Sequence, residues 1–306
     1  MDLSIIIISY NTKDITKKCL DTIYNSLRKT RMKVEILVID NASEDGSVEM
    51  LRQYEKITNP DNIKFAVIIS KENLGYVKGN NLGVTKAKAK TILFLNSDIE
   101  VLDDAISILY SYFVKQTKYH FLGGKLFNKD MSTQASCGPS YNLFNIFIFL
   151  FLRGDYYGIT RFSPNEIKDV AWVSGACFIT KKEYFEYLKG FDEGIFMYMD
   201  EIDLFYRATK VGYKIGFYPE CKFIHLGSAS SAGRTQPILQ VYKGYLYFYK
   251  KHFSYFSLLL LKCMLQLKAI ISLAIGLVFR LVGKEKKANY LINTYAEAYT
   301  IAKNYR

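Results

Sequence analysis

No two cysteines in this chain stand in a C-x-x-C spacing, and their total, five, is odd. This excludes a disulfide framework and a cysteine-ligated zinc site, and it fits a reducing compartment such as the cytosol. No G-x-G-x-x-G run follows a strand, so dinucleotide binding is a poor fit. Gly123-Gly124-Lys125 lacks the upstream glycine and the hydroxyl residue of a P-loop. Long apolar runs are missing too. The stretch Tyr141–Leu152 has twelve residues and Ala269–Phe279 eleven, with Lys262, Lys268 and Arg280 interrupting that region; both are short of a bilayer span. The apolar start Leu3–Ile8 is far too short for a secretory signal. There is no internal repeat and no RNA- or DNA-binding motif, so nucleic acid is not an expected partner.

Half of the 306 residues are hydrophobic, which supports a sizeable core and excludes global disorder. Tryptophan occurs once, but Tyr and Phe number 25 and 21, enough to line a site as well as fill a core. The net charge of +12 is uneven. From Pro237 onward eleven Lys/Arg face only Glu285 and Glu297, a net +9, which leaves +3 for the first 236 residues. That tail is also rich in Leu, Ile and Phe. A basic, apolar tail suits an anionic membrane surface.

Four continuous apolar runs, Ser4–Ser9, Glu35–Ile39, Lys64–Ile69 and Thr91–Leu95, read as parallel strands buried on both faces. Amphipathic stretches at Asp14–Leu27, Ser47–Ile57 and Tyr76–Ala89 alternate with them. The alternation predicts an α/β fold with a mainly parallel sheet flanked by helices. Further strands or helices are expected at Ala171–Ile179, Lys182–Lys189 and Met199–Lys210. Residues 1–235 are expected to form the main domain, and 236–306 a helical, membrane-associating extension lying on the bilayer. Tyr141–Leu152 reads either as a buried element or as a surface element that meets lipid or acceptor.

Ligands of such sheets bind beyond the carboxyl ends of the strands. The first strand ends at Tyr10, an aromatic that could stack on a base. The second ends at Asp40, within VIDNASEDGS, whose polar residues also suit a turn and helix cap. After the third come Asn73, Gly75, Gly79 and Asn81. The fourth delivers Asn96-Ser97-Asp98. A carboxylate at the end of a buried strand needs a partner, and a hard divalent cation shared with phosphates is a natural one. Farther on, five carboxylates lie between Asp192 and Asp203 among aromatics. On a helix Asp200, Asp203 and Arg207 share a face and Glu201 does not. A partly buried carboxylate there has a raised pKa and can serve as a general base. His225 stands in an apolar strand-like run and reads either as structural or as a metal ligand.

In this order, SYNT, VIDNASEDGS, NLGYVKGNNLG, FLNSD, the block from VSGACFITKK to MDEIDLFYR and the closing IHLGSAS resemble glycosyltransferase family 2, in its rhamnosyltransferase-like branch. The resemblance covers about Ser4–Ser231 and implies a GT-A (Rossmann-like) fold. It implies that Tyr10 and Asp40 hold base and ribose, and that Asn73, Gly75, Asn81, Ser97, Gly175, Ala176 and Arg207 shape the donor pocket. Asp98 and His225 would hold Mn²⁺ or Mg²⁺. Glu201, with Asp200 as the alternative, would be the catalytic base, and Trp172 and Asp203 would lie on the acceptor side. Two positions depart from the family pattern. The metal motif is Asn-Ser-Asp, with one carboxylate, and the acidic pair is Asp-Glu rather than Glu-Asp. The implied partners are a nucleotide-diphosphate sugar, dTDP-rhamnose or else a UDP-hexose or UDP-N-acetylhexosamine, and a polyprenyl-diphosphate-linked glycan. The implied place is peripheral, on the cytoplasmic face of a bacterial plasma membrane, and a homodimer is compatible with it. A sugar-nucleotide nucleotidyltransferase and a non-catalytic glycan-binding protein are the rival readings. SYNTKD lacks the glycine-rich loop of the former.

Overall fold

A computed structural model describes residues 1–56, 61–195, 198–227 and 237–306. The expected helix end at Ile57, the aromatic and methionine at Phe196 and Met197, and the Ser228–Ser230 end of IHLGSAS lie outside these residues.

The chain opens with strand–helix repetition: β1 (Leu3–Ser9), α1 (Lys13–Leu27), β2 (Val34–Asp40), α2 (Ser47–Lys56), β3 (Ile63–Ile69), α3 (Gly75–Lys86) and β4 (Thr91–Leu95). A short β5 (Ile99–Val101), α4 (Ala105–Lys115) and β6 (Phe121–Phe127) follow. Then come β7 (Thr133–Gln134), β8 (Cys137–Gly138), α5 (Leu143–Phe151), β9 (Lys168–Val170), β10 (Trp172–Val173), β11 (Cys177–Lys181), α6 (Lys182–Tyr187), α7 (Asp200–Lys210) and β12 (Ile215–His225). Three helices complete it: α8 (Pro237–His252), α9 (Tyr255–Leu281) and α10 (Glu285–Asn304).

The main sheet runs in the order β3-β2-β1-β4-β11-β6-β12-β5. The first four strands are parallel, as their unbroken apolar runs predict. β11 lies antiparallel to both of its neighbours, so β6 and β12 beyond it run in the same direction as β1 to β4. Every residue of β2 and β4 is buried, so both faces are covered. The expected strand Ala171–Ile179 is in fact two strands, broken at Ser174-Gly175-Ala176. The break matters, because it turns this tripeptide toward α7.

The chain divides into two compact units. One comprises Met1–Ser140, Arg161–Phe196 and Asp200–Ala232, and holds the sheet. The other comprises Tyr141–Thr160, Met197–Met199 and Gly233–Arg306. In the second unit α8, α9 and α10 pack on one another, and α5 packs on α9. The apolar segment around α5 thus joins the C-terminal helices. Asn142 caps it, its side chain accepting from the Asn145 N–H at 2.9 Å. Ile146, Ile148 and Leu150 face inward, while Phe144 and Phe147 are exposed. Lys262, Lys268 and Arg280 do not break α9. It is one continuous helix of 27 residues, long and apolar enough to cross a membrane.

Candidate active site

The sheet gathers its chemistry at the carboxyl ends of β1, β2 and β4. Asn11 adopts φ 51° and its N–H donates to Ser43 Oγ at 2.9 Å, while its own Oδ1 accepts from the Glu44 N–H at 2.7 Å. The Lys13 N–H donates to Asp45 at 2.9 Å. These bonds join the β1–α1 loop to the β2–α2 loop and fix half-buried Tyr10 beside the end of β2. Asp40 is fully buried; one carboxylate oxygen accepts from the Ser43 N–H at 2.9 Å. The other has no hydrogen-bond partner, and neither has Oδ1 of neighbouring Asn41. A buried acceptor without a donor costs about 1–3 kcal/mol. Two such acceptors side by side could take the N–H or O–H groups of a ligand. Asn41 Nδ2 donates to the Gly75 carbonyl at 3.1 Å, which ties this pair to the start of α3. Gly75 needs to be glycine, because its φ is 72°. Asn73 is exposed and accepts from the Gly75 N–H at 2.9 Å, shaping that turn.

The β4 carbonyl end carries Ser97 and Asp98, both 7% exposed. Antiparallel pairing of β5 with β12 sets His225 opposite Ile99. The Leu226 N–H also donates to the Asp98 carbonyl at 3.0 Å. His225 Nε2 therefore comes within 3.4 Å of Asp98 Oδ1. A carboxylate and an imidazole are a donor set suited to Mn²⁺. Among the described residues no group of three or more His, Cys, Asp or Glu could hold a metal. A cation here would thus draw its remaining ligands from phosphate and water, as Mg²⁺ and Mn²⁺ commonly do.

The same loop reaches the acidic pair. The Asn96 N–H donates to the Ala176 carbonyl at 2.9 Å, and Tyr76 Oη donates to the Gly175 carbonyl at 2.7 Å. A methyl added to Gly175 would lie 3.3 Å from Tyr76 Oη and 3.7 Å from Glu201 Cβ. Gly175 thus sits between α3 and the first turn of α7. Tyr198 and Met199, at φ 60° and 69°, carry the chain into that turn. Asp200 is buried and Glu201 half-buried. Burial pushes both carboxyls upward. The Glu201 charge drives Asp200 well above the usual range, while the Arg161 guanidinium pulls Glu201 back. The pair as a whole is thus biased toward holding a proton, and the Arg161 charge favours ionisation at Glu201.

Three expected site residues also tie the frame together. Arg207 donates from Nε to Asp203 Oδ2 at 2.7 Å, from Nη2 to the Gly190 carbonyl at 2.8 Å, and from Nη1 to the Leu188 carbonyl. Three of its five N–H donors are thus engaged by the protein. Asp203, fully buried, is its counter-charge. Asn81 likewise exchanges two 3.0 Å hydrogen bonds with the Phe191 backbone and holds the loop before α7. Trp172 is 2% exposed and donates its indole N–H to the Pro139 carbonyl at 3.0 Å. Arg161 lies over its ring at 5.6 Å. What Trp172 presents to the site is therefore a platform for this exposed arginine. Arg161, Tyr76 and Gln134, discussed below, were not legible as site residues. Arg161 and Gln134 lie outside the motifs, Tyr76 lies inside NLGYVKGNNLG but acts through a bond to Gly175, 99 positions away, and the places of all three depend on distant segments.

Residues 4–188 match the model of "Glycosyl transferase family 2". The chain belongs to glycosyltransferase family 2. It is similar to two relatives of known name, and it spans about two thirds of the length of each. The chain is 28% identical over 221 residues to the low-salt glycan biosynthesis hexosyltransferase Agl10 of Haloferax volcanii, covering 70% of this chain and 64% of that protein. It is 26% identical over 233 residues to N-acetylglucosaminyl-diphospho-decaprenol L-rhamnosyltransferase of Mycobacterium tuberculosis, covering 67% of this chain and 70% of that one. The fold matches the mannosyltransferase PcManGT of Pyrobaculum calidifontis, solved with GDP-Man and Mn²⁺. The TM-score is 0.56 at 16% identity, over 98% of this chain and 86% of that one. At that identity the likeness concerns the GT-A fold alone.

Proposed function

We propose that this family member transfers a sugar, with inversion, from a nucleotide diphosphate to an acceptor hydroxyl. The observation that carries this reading is the continuous frame from Asp98 through Ala176 and Gly175 to Glu201. It couples a phosphate-side cation site to a carboxylate base. In the proposed reaction Glu201 takes the acceptor's hydroxyl proton as that oxygen attacks the anomeric carbon. The bond from that carbon to the diphosphate oxygen breaks on the opposite side, and the nucleoside diphosphate leaves. In this reading Asp200, the more deeply buried of the pair and pushed well above the usual carboxyl range, holds the proton and leaves Glu201 as the base. Asp40 and Asn41 supply two acceptors for N–H and O–H groups of the nucleoside, and Tyr10 supplies an aromatic face. Mn²⁺ or Mg²⁺ held by Asp98 and His225 would neutralise charge on the departing diphosphate.

dTDP-rhamnose is the donor we favour, in keeping with the branch; a UDP-hexose or UDP-N-acetylhexosamine is its competitor. For the acceptor we propose a polyprenyl-diphosphate-linked glycan of a bacterial surface polysaccharide. The mycobacterial relative's name specifies such a lipid, and α9 with its basic surroundings gives this chain a means of meeting one. Binding at the cytoplasmic face of the plasma membrane follows from the same reading. Glu201→Gln should lower turnover by about 10²–10⁴-fold, the usual worth of a general base, and leave donor affinity within about twofold. Normal turnover in that variant would remove Glu201 from the reaction.

A further inference from the structure

We propose that a polar relay in the β6–β7 hairpin fixes His225 in the tautomer that leaves Nε2 free to ligate a metal, with Gln134 as the positioning residue. The relay starts at Asp130. This carboxylate only accepts, and it takes the Ser132 hydroxyl hydrogen at 2.6 Å and the Ser132 N–H at 3.0 Å. Ser132 has one hydroxyl hydrogen, now used. The contact between Ser132 Oγ and the Asn128 amide at 2.9 Å must therefore run from Asn128 Nδ2 to Ser132 Oγ. That orientation leaves Asn128 Oδ1 as an acceptor facing Gln134, whose Nε2 donates to it at 2.8 Å. The same Nε2 also donates to the His225 carbonyl at 3.3 Å. With both amide hydrogens of Gln134 engaged, its Oε1 is the atom left for the imidazole, at 2.7 Å from His225 Nδ1. A flipped Gln134 would set its oxygen against two acceptors. Nδ1 therefore carries the hydrogen of the neutral ring, which makes Nε2, 3.4 Å from Asp98 Oδ1, the nitrogen available to a metal shared with that carboxylate.

The topology explains why this relay reaches so far. Gln134 pairs with Leu126 across the hairpin, and β6 runs beside β12 with Phe127 opposite Ile224. The hairpin thus brings a tight NKDMSTQ turn to the one end of β12 that carries His225. The Met131 φ of 65° and the 2.8 Å bond from the Asn128 N–H to the Ser132 carbonyl hold that turn shut.

The purpose of the relay rests on the reading of His225 as a metal ligand, but the tautomer can be tested without metal. Long-range ¹H–¹⁵N spectra of histidine-labelled protein at about pH 8, where imidazole is neutral, should show His225 protonated at Nδ1. They should show exchange between tautomers in Gln134→Leu, with His120 and His252 unchanged as reporters of the fold. Protonation of His225 at Nε2 in the parent protein would overturn the relay. Mn²⁺ alone, followed by the free-ion electron paramagnetic resonance signal, should bind at least about tenfold more weakly to Gln134→Leu. In Gln134→Met, which keeps the length of the side chain and loses the acceptor, affinity should fall by a similar factor. If His225→Ala weakens Mn²⁺ and Gln134→Leu does not, the positioning role is wrong. If His225→Ala leaves Mn²⁺ binding unchanged, the metal reading itself fails.

Discussion

At the scale of single residues, Asp200 and Glu201 divide one task. Two adjacent carboxyls on one helical turn cannot both ionise cheaply in a buried setting; burial and the Glu201 charge push Asp200 well above the usual range, and we place the pair's proton there. A group whose folded pKa is raised stabilises fully below its unfolded value, about 3.9 for Asp. That contribution is lost as pH rises through the folded value. Asp200→Asn keeps the shape and removes the titration. The variant should therefore melt close to the parent at acid pH and roughly 2–5 °C above it at neutral pH. A melting difference that does not change with pH would contradict the assigned protonation. Sequence spacing already separated Glu201 from the face shared by Asp200, Asp203 and Arg207. What it left open was which of the pair is the base. That choice depends on burial and on Arg161, which lies 40 positions upstream and reaches the site through its perch on Trp172.

At the scale of elements, α7 is held by the Asp203–Arg207 pair and by the carbonyls of Leu188 and Gly190. Arg207→Ala would strip the fully buried Asp203 carboxylate of its ion-pair partner and should cost about 3 kcal/mol of stability. A residue used for donor binding would instead raise KM at unchanged melting temperature, so denaturant unfolding beside steady-state kinetics separates the two roles. The i, i+4 spacing of this pair was visible in the sequence, as were β1 to β4 and the loops after them. A continuous apolar run with a polar end declares itself locally. The break at Ser174-Gly175-Ala176 did not, because it follows from β11 pairing antiparallel with both β4 and β6. The partnership of His225 with Asp98 was expected from resemblance alone, and its geometry comes from the long-range pairing of β5 with β12.

At the scale of the whole molecule, the chain joins a GT-A sheet unit to a helical unit that carries a 27-residue apolar helix. The sequence suggested separate short apolar pieces because Lys262 and Lys268 interrupt the run. As a helix, the run is about 40 Å long, enough to cross a bilayer as well as to lie along one. Leu267, Ile270, Leu277 and Val278 are all at least half exposed on it. Replacing these four by serine should lower binding to vesicles containing phosphatidylglycerol by about tenfold or more. Raising salt should weaken the parent's binding through its basic residues. Unchanged partitioning in the variant would place the lipid contact elsewhere.

The central claim, that one site joins a cation to a nucleotide sugar, is tested most directly by thermal shift across dTDP-, UDP- and GDP-sugars, each with Mn²⁺ and with chelator. One donor at about a hundredfold over its dissociation constant should raise the melting temperature by roughly 5 °C. The gain should vanish with chelator and in Asp98→Asn. Equal stabilisation with and without Mn²⁺, or a full response in Asp98→Asn, would contradict the account.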